Sequence, residues 1–226
     1  MLTAIIVAAG SSRRMGFDKL TAAIADKPVI EHTVDAFAQT SAVSEIIVIT
    51  RSDRISEIEK LLAGKEKLKA VIAGGEHRQD SVNAGLRVLS TSAKFVAVHD
   101  GARPLVTPSQ IEEVLAQARV HGAAALAEPV TDTLKRADAE RSVQESVDRE
   151  RIYAMQTPQI FARDLIEEAY GAVFAQHLQI TDEVSAVQHL GRRVALVPCA
   201  DFNFKITFAR DLRLADFILR ERAGHA

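Results

Sequence analysis

Ala4-Ile5-Ile6-Val7-Ala8-Ala9-Gly10-Ser11-Ser12-Arg13-Arg14-Met15-Gly16-Phe17-Asp18-Lys19 is an apolar run that stops at a glycine and opens into a small-residue loop carrying cations. The run predicts a buried strand. A loop in that place can aim backbone N–H groups at phosphates, and its small residues let a ligand come close. The G-x-G-x-x-G spacing of dinucleotide sites is absent, and so is the G-x-x-x-x-G-K-[ST] spacing of a P-loop. What remains distinctive is Arg14 with Lys19. Two cations there can neutralise a triphosphate, or they are solvated side chains on an ordinary strand-to-helix connection.

The same alternation continues outward. Glu45–Ile49, Ala70–Ile72, Phe95–Val98, Ala123–Ala127 and Arg193–Val197 read as further short strands. Between them, Val29–Phe37, Arg54–Leu62 and Gln79–Leu89 place apolar residues at helical spacing, as do a segment opening at Pro108-Ser109 and Asp164–Phe174, Asp182–Leu190 and Asp211–Leu219. Alternation of this kind predicts an α/β fold: a doubly wound, mostly parallel, Rossmann-like sheet with right-handed crossovers. Such sheets bind ligands beyond the carboxyl ends of their strands. The unusual chemistry of this chain falls there, in Ala9–Lys19, Gly74–Ser81 and His99–Pro104.

One stretch departs from the alternation. Residues 130–152 are polar and charged on both sides of the turn Asp138-Ala139-Glu140-Arg141, which predicts a β-hairpin arm protruding from the main body. A lone hairpin is marginal in water, so the arm is expected to dimerise the chain by packing on a twin subunit. With no internal repeat or linker, residues 1–226 read as one domain carrying this arm.

Composition narrows the classes. The chain has 226 residues, 47% hydrophobic and 26% charged, with a net charge of -2. That is ordinary globular usage, and it gives no broad basic field for nucleic acid. No stretch approaches the roughly 18–20 apolar residues of a membrane helix. The single cysteine, Cys199, reads as a reduced, buried thiol, and cytoplasmic residence is expected. Arg220, Arg222 and His225 read as a frayed, solvated helix end.

Eight segments, the opening loop and seven further ones, carry a resemblance. Ala8 to Lys19 resembles the nucleotide-binding signature of the sugar-phosphate nucleotidyltransferases. Gly74-Gly75-Glu76-His77-Arg78-Gln79-Asp80-Ser81-Val82, Val98-His99-Asp100-Gly101-Ala102-Arg103-Pro104 and Pro129–Lys135 follow. Val147-Asp148-Arg149, Gln156-Thr157-Pro158-Gln159, Ile180-Thr181-Asp182-Glu183 and Asn203-Phe204-Lys205-Ile206-Thr207 complete the series. In this order, over nearly the whole chain, they resemble the 2-C-methyl-D-erythritol 4-phosphate cytidylyltransferase family. Departures from the family pattern include Ser12 where glycine is common and Asp18 where proline is common. Asp18 is expected to weaken phosphate neutralisation by the adjacent Lys19.

The resemblance implies transfer of CMP from CTP to a polyol phosphate, with release of pyrophosphate, in non-mevalonate isoprenoid precursor biosynthesis. It implies that Arg14, Lys19 and Lys205 act on the α-phosphoryl group. Gly75, Glu76 and Ser81, with the backbone of Ala8, Ala9 and Gly10, would hold the nucleotide, although Ser81 also suits the start of a helix. Asp100 is a candidate for the nucleotide ribose, the polyol or a metal. Mg²⁺, or another divalent cation, needs only one or two carboxylates besides phosphates and water. Thr133 and Arg149 would reach a homodimer partner's site, Thr157 and Thr181 would face the polyol phosphate, and Arg103 would bind substrate or brace its loop. His99 reads as a packed histidine. A ribitol-5-phosphate cytidylyltransferase and a non-catalytic CTP-binding regulator remain the alternatives.

Overall fold

In the computed structural model, which describes residues 1–10 and 16–224, the chain runs through eleven strands and seven α-helices among the described residues. β1 (Leu2–Val7) is followed by the short hairpin β2 (Ala23–Ile24) and β3 (Lys27–Pro28), then α1 (Val29–Gln39), β4 (Val43–Thr50) and α2 (Ile55–Leu61). Next come β5 (Leu68–Ala73), α3 (Arg78–Leu86), β6 (Phe95–Asp100), α4 (Pro108–His121) and β7 (Ala123–Pro129). β8 (Leu134–Ala137), β9 (Val143–Val147), β10 (Tyr153–Ala162), α5 (Arg163–Ala175), α6 (Glu183–His189), β11 (Ala195–Pro198) and α7 (Ala209–Gly224) complete it.

The main sheet has the order β11-β7-β10-β6-β1-β4-β5. From β1 the chain steps through β4 to β5 on one side, then returns to β6 on the other. Winding therefore reverses between β1 and β6, and a crevice opens outside the carboxyl ends of strands at such a reversal. The alternation of β1 feeds two cores, as a strand buried on both faces requires. Leu2, Ala4 and Ile6 pack in the layer holding α1, α2, α4 and α7, while Ile5 packs in the layer holding α3, α5 and α6. Helix ends follow local chemistry. Thr107 caps α4 by accepting from Gln110 N–H (3.3 Å), Pro108 opens it, and Gly122 closes it at φ 81°.

All six strands expected from the apolar runs form. β10 was not anticipated: it lies antiparallel between β7 and β6 in an otherwise parallel sheet. Its middle, Gln156-Thr157-Pro158-Gln159, interrupts the apolar pattern, and the register with β7 shifts between Met155 and Gln159. Side chains replace the missing apolar signal: Gln159 Nε2 donates to Asp182 (3.0 Å) and Gln159 Oε1 accepts from Val184 N–H (3.1 Å).

The polar stretch 130–152 does form an antiparallel hairpin, β8 with β9, pairing Leu134 with Val147. It is exposed along nearly its whole length and leaves Val143 in solvent. Two expectations need correction. Cys199 is half-buried rather than buried, its Sγ donating to Asp201 O (2.8 Å). The end of α7 is tied down: Arg222 reaches Leu105 O (2.8 Å) and Asp201 (2.7 Å), and Arg220 pairs with Asp216 and Asp26. His225 lies outside the described residues. No helix among the described residues is long and apolar enough to cross a membrane.

Gly85 fixes how α3 lies on the sheet. A Cβ there would stand 2.9 Å from both Cδ1 and Cγ2 of Ile5. Gly85→Val is expected to lower stability by about 1–3 kcal/mol through overpacking. Urea unfolding checks this, and an unchanged midpoint counts against it.

Candidate active site

The crevice at the β1/β6 reversal holds a cavity of about 240 Å³. Its walls come from the end of β1 (Val7 to Gly10), the β5–α3 connection (Gly75 to Arg78) with Ser81, the end of β6 (Asp100), and two lysines, Lys19 and Lys205. Close approach is built into the β5–α3 turn. A Cβ on Gly74 would meet Ser81 Oγ at 2.5 Å, and one on Gly75 would meet Asp80 Cβ at 2.3 Å. Asp80 in turn accepts from His77 N–H (2.9 Å), which pins the first turn of α3. Ser81 is buried; its Oγ donates to His77 O (3.3 Å) and accepts from Gly75 N–H (3.3 Å).

Lys19 and Lys205 are 186 residues apart in the sequence and line the same cavity. Lys19 Nζ donates to the carbonyl of Ile206 (2.7 Å), the neighbour of Lys205. Lys205 Nζ lies 3.0 Å from Asp100 Oδ2. Asp18 does not compete for the Lys19 ammonium in the expected way. Its Oδ1 accepts from Leu20 N–H (2.9 Å) and its Oδ2 pairs with Arg54. Arg14 lies in the stretch 11–15, outside the described residues.

Asp100 is the electrostatic centre of the site. Arg78 Nη2 stands 3.3 Å from its Oδ1; Arg103 Nε (3.4 Å) and Lys205 stand by its Oδ2. Burial pushes this carboxyl up, but Arg78, Lys205 and Arg103 together outweigh burial and hold it well below the usual carboxylate range. Arg103 is itself buried, its Nη1 donating to Asn203 O (2.8 Å), so it braces the β6 end against the segment carrying Lys205.

A second cavity, of about 610 Å³, lies on the β10 and α6 side. Thr157, Thr181 and Arg103 line it, and Arg78, Asp100 and Lys205 belong to both cavities. Thr181 Oγ1 is within 3.1 Å of Ser185 Oγ, and Asp182, not Thr181, caps α6 by accepting from Ser185 N–H (3.0 Å). Thr157 is buried, and its hydroxyl accepts from Asp100 N–H (3.0 Å). It also lies 3.1 Å from His99 Nδ1, and His99 Nε2 lies 3.3 Å from Arg103 O. His99 is packed, as expected, against Phe37. Its burial drives its pKa from 6.5 down to about 3, so the neutral ring donates to Arg103 O and accepts from Thr157.

Thr133 and Arg149 line neither cavity; both are exposed on the arm, where Arg149 donates to Thr131 O. Two residues of the site had no assigned role in the sequence. Arg78, inside a quoted motif, binds Asp100 and also Glu183 (3.0 Å), a carboxylate that is 1% exposed. Their pairing spans 105 positions, so only a fold places them together.

Among the described residues, no group of three His, Cys, Asp or Glu is arranged to hold a metal ion. Asp100 and Glu76 line the first cavity, which suits an ion carried mainly by substrate phosphates and water.

The doubly wound sheet thus sets a small cavity at its reversal, with a second cavity beside it that shares Arg78, Asp100 and Lys205. The model of the IspD family, 2-C-methyl-D-erythritol 4-phosphate cytidylyltransferase, matches residues 2–221, and the chain belongs to that family. A relative of that name from Pelotomaculum thermopropionicum is 37% identical, covering 99% of this chain and 96% of its own. One from Salinibacter ruber is 41% identical, covering 95% and 91%. Among solved structures, the 4-diphosphocytidyl-2C-methyl-D-erythritol synthase of Anaerococcus prevotii superposes with a TM-score of 0.86 at 28% identity, covering 97% and 96%. The 2-C-methyl-D-erythritol 4-phosphate cytidylyltransferase of Thermus thermophilus gives 0.80 at 31% identity, covering 96% and 98%.

The His99 environment sets an acid limit. The unfolded chain takes up this proton near pH 6.5, while the folded chain resists it down to about pH 3. Stability therefore rises with pH across that window and is lost on acidification. The loss from His99 is about 2 kcal/mol on going from its unfolded pKa to about pH 5. His99→Gln should remove that component, as read by urea unfolding at about pH 7 and about pH 5. Equal acid losses in both proteins would contradict this account.

Proposed function

We propose that the chain transfers CMP from CTP to 2-C-methyl-D-erythritol 4-phosphate, giving 4-diphosphocytidyl-2-C-methyl-D-erythritol and pyrophosphate in isoprenoid precursor biosynthesis. The observation that carries this reading is the junction of the two cavities. Arg78, Asp100 and Lys205 line both, so a nucleotide in one and a polyol phosphate in the other meet beside the same charges.

In the reaction, a phosphate oxygen of the polyol attacks the α-phosphorus of CTP in line. A new P–O bond forms, the bond to the bridging oxygen of the β-phosphate breaks, and pyrophosphate leaves. The attacking group is already an anion, so the protein need not supply a base. Its work is to orient two polyanions and to offset charge on the transferring group. Lys19 and Lys205 supply that charge in this reading, with Arg14 as a third cation by family resemblance. Gly75, Glu76, Ser81 and the backbone of Ala8, Ala9 and Gly10 hold the nucleotide, the small cavity favouring a pyrimidine. Mg²⁺ or another divalent cation would be held mainly by the CTP phosphates, because Asp100 is already paired with Arg78, Arg103 and Lys205, and it would neutralise charge on the leaving pyrophosphate.

Thr133 and Arg149 stand away from both cavities of their own chain, and the arm is exposed. This supports a homodimer in which each arm brings its Arg149 fork to the partner's polyol phosphate. A cytoplasmic location, where the lone Cys199 thiol stays reduced, belongs to the same reading.

Purified protein with CTP and Mg²⁺ is tested on a substrate panel, with pyrophosphate as readout. Release with methylerythritol phosphate well above that with ribitol 5-phosphate is expected. Preference for ribitol phosphate, or CTP binding without release, would overturn the reading in favour of those alternatives. Lys19→Ala should lower kcat by about 100-fold or more. An equimolar mixture of Lys19→Ala and Arg149→Ala subunits should regain activity if sites are shared, and no gain would contradict sharing.

A further inference from the structure

Glu183 is an expensive residue to place where it is. It is 1% exposed, and its Oε2 has no hydrogen-bond partner among the described residues. Its Oε1 accepts from Tyr170 Oη (3.0 Å) and from Arg78 Nη1 (3.0 Å). Burial pushes its carboxyl up, against the pull of Arg78 and of the Tyr170 hydroxyl. Burying a carboxylate costs several kcal/mol before pairing, and such pairs often add nothing to stability over an apolar replacement. A staple between α3 and α6 could be made of apolar side chains, so a role in stability alone explains Glu183 poorly.

The far side of Arg78 supplies the reason. Its guanidinium does not end at Glu183: Nη2 faces Asp100 Oδ1 (3.3 Å), while Lys205 faces Asp100 Oδ2 (3.0 Å). The two cations thus stand on opposite oxygens of one carboxylate at the junction of the two cavities, and both line each cavity. Counting the groups in contact there, Arg78, Arg103 and Lys205 oppose Asp100 and Glu183, three positive charges against two negative. This cluster keeps a positive charge after its internal pairs are made. A planar fork with five N–H donors, engaged by Glu183 through Nη1 and by Asp100 through Nη2, still has others to present to phosphate oxygens.

We infer that Arg78 is a further cation on the transferring phosphoryl group and that Glu183 is its positioning residue. The inference rests on the cytidylyl-transfer reading. Charge that helps more in the transition state than in the bound substrates appears in kcat and not in KM. Glu183 acts through Arg78, so its effect must vanish when Arg78 is changed.

The test is steady-state kinetics with CTP, Mg²⁺ and 2-C-methyl-D-erythritol 4-phosphate on wild type, Arg78→Lys, Glu183→Gln and the double variant, with thermal melts alongside. Arg78→Lys keeps the charge but loses the fork, and should lower kcat by about 10- to 100-fold with KM for CTP little changed. Glu183→Gln keeps the shape but removes the charge that holds the guanidinium, and should lower kcat by about 10-fold. The double variant should be no slower than Arg78→Lys. Wild-type kcat in Arg78→Lys, or independent multiplying losses in the double variant, would overturn the inference while leaving the transfer reaction standing. No turnover in wild type would overturn both. Should Arg78→Lys fail to fold, Glu183→Gln decides: a fall in kcat at constant KM supports the inference, and unchanged kcat with a lowered melting point overturns it.

Discussion

The carboxylate of Asp100, buried among Arg78, Arg103 and Lys205, is the interaction on which the site's geometry depends. Each cation arrives from a different part of the chain: the first turn of α3, the loop after β6, and the segment after β11. A single buried negative charge makes those three approaches mutually dependent. Removing the carboxylate would leave three crowded cations with only Glu183, on Arg78, to offset them, which is far costlier than losing an exposed ion pair. Asp100 also ends β6, where its N–H is held by Thr157 of β10. The unexpected antiparallel strand and the charge cluster are therefore parts of one construction.

Topology explains why the cluster sits beside a cavity. Parallel strands β1, β4, β5 and β6 end on the same side, and the reversal between β1 and β6 keeps their connections apart. Gly74 and Gly75 let the β5–α3 turn close onto Ser81 and Asp80 without collision. Fixed dipoles and ammonium groups then face one cavity. Phosphoryl transfer asks little covalent chemistry of a protein, so preorganised charge of this kind is what the fold most usefully provides.

Much of this was legible in the sequence because its causes are local. The apolar run of β1, the Pro108 opening of α4 and the strand-end motifs each declare themselves within a few residues. The chemical identities of Lys19, Ser81, Asp100 and Lys205 were also visible, and the fold places all four around one cavity. What stayed hidden depends on partners far away. β10 carries polar residues that pair with His99, Asp182 and Val184, so no period of two marks it. Glu183 reads as an ordinary acid in the first turn of a helix until Arg78 and Tyr170 close over it. Asp18 reads as a rival for Lys19 until Arg54, 36 positions on, takes its carboxylate.

Convergence of charges from opposite ends of the chain on one phosphorus atom would be visible in a nucleotide complex. A crystal structure of the chain with a non-hydrolysable CTP analogue and Mg²⁺ measures this directly. The account predicts the Nζ atoms of Lys19 and Lys205 both at charge-assisted hydrogen-bond range, about 2.7–3.2 Å, of oxygens on the α-phosphate. An α-phosphate bound elsewhere, or with either ammonium group turned away from it, would contradict the account.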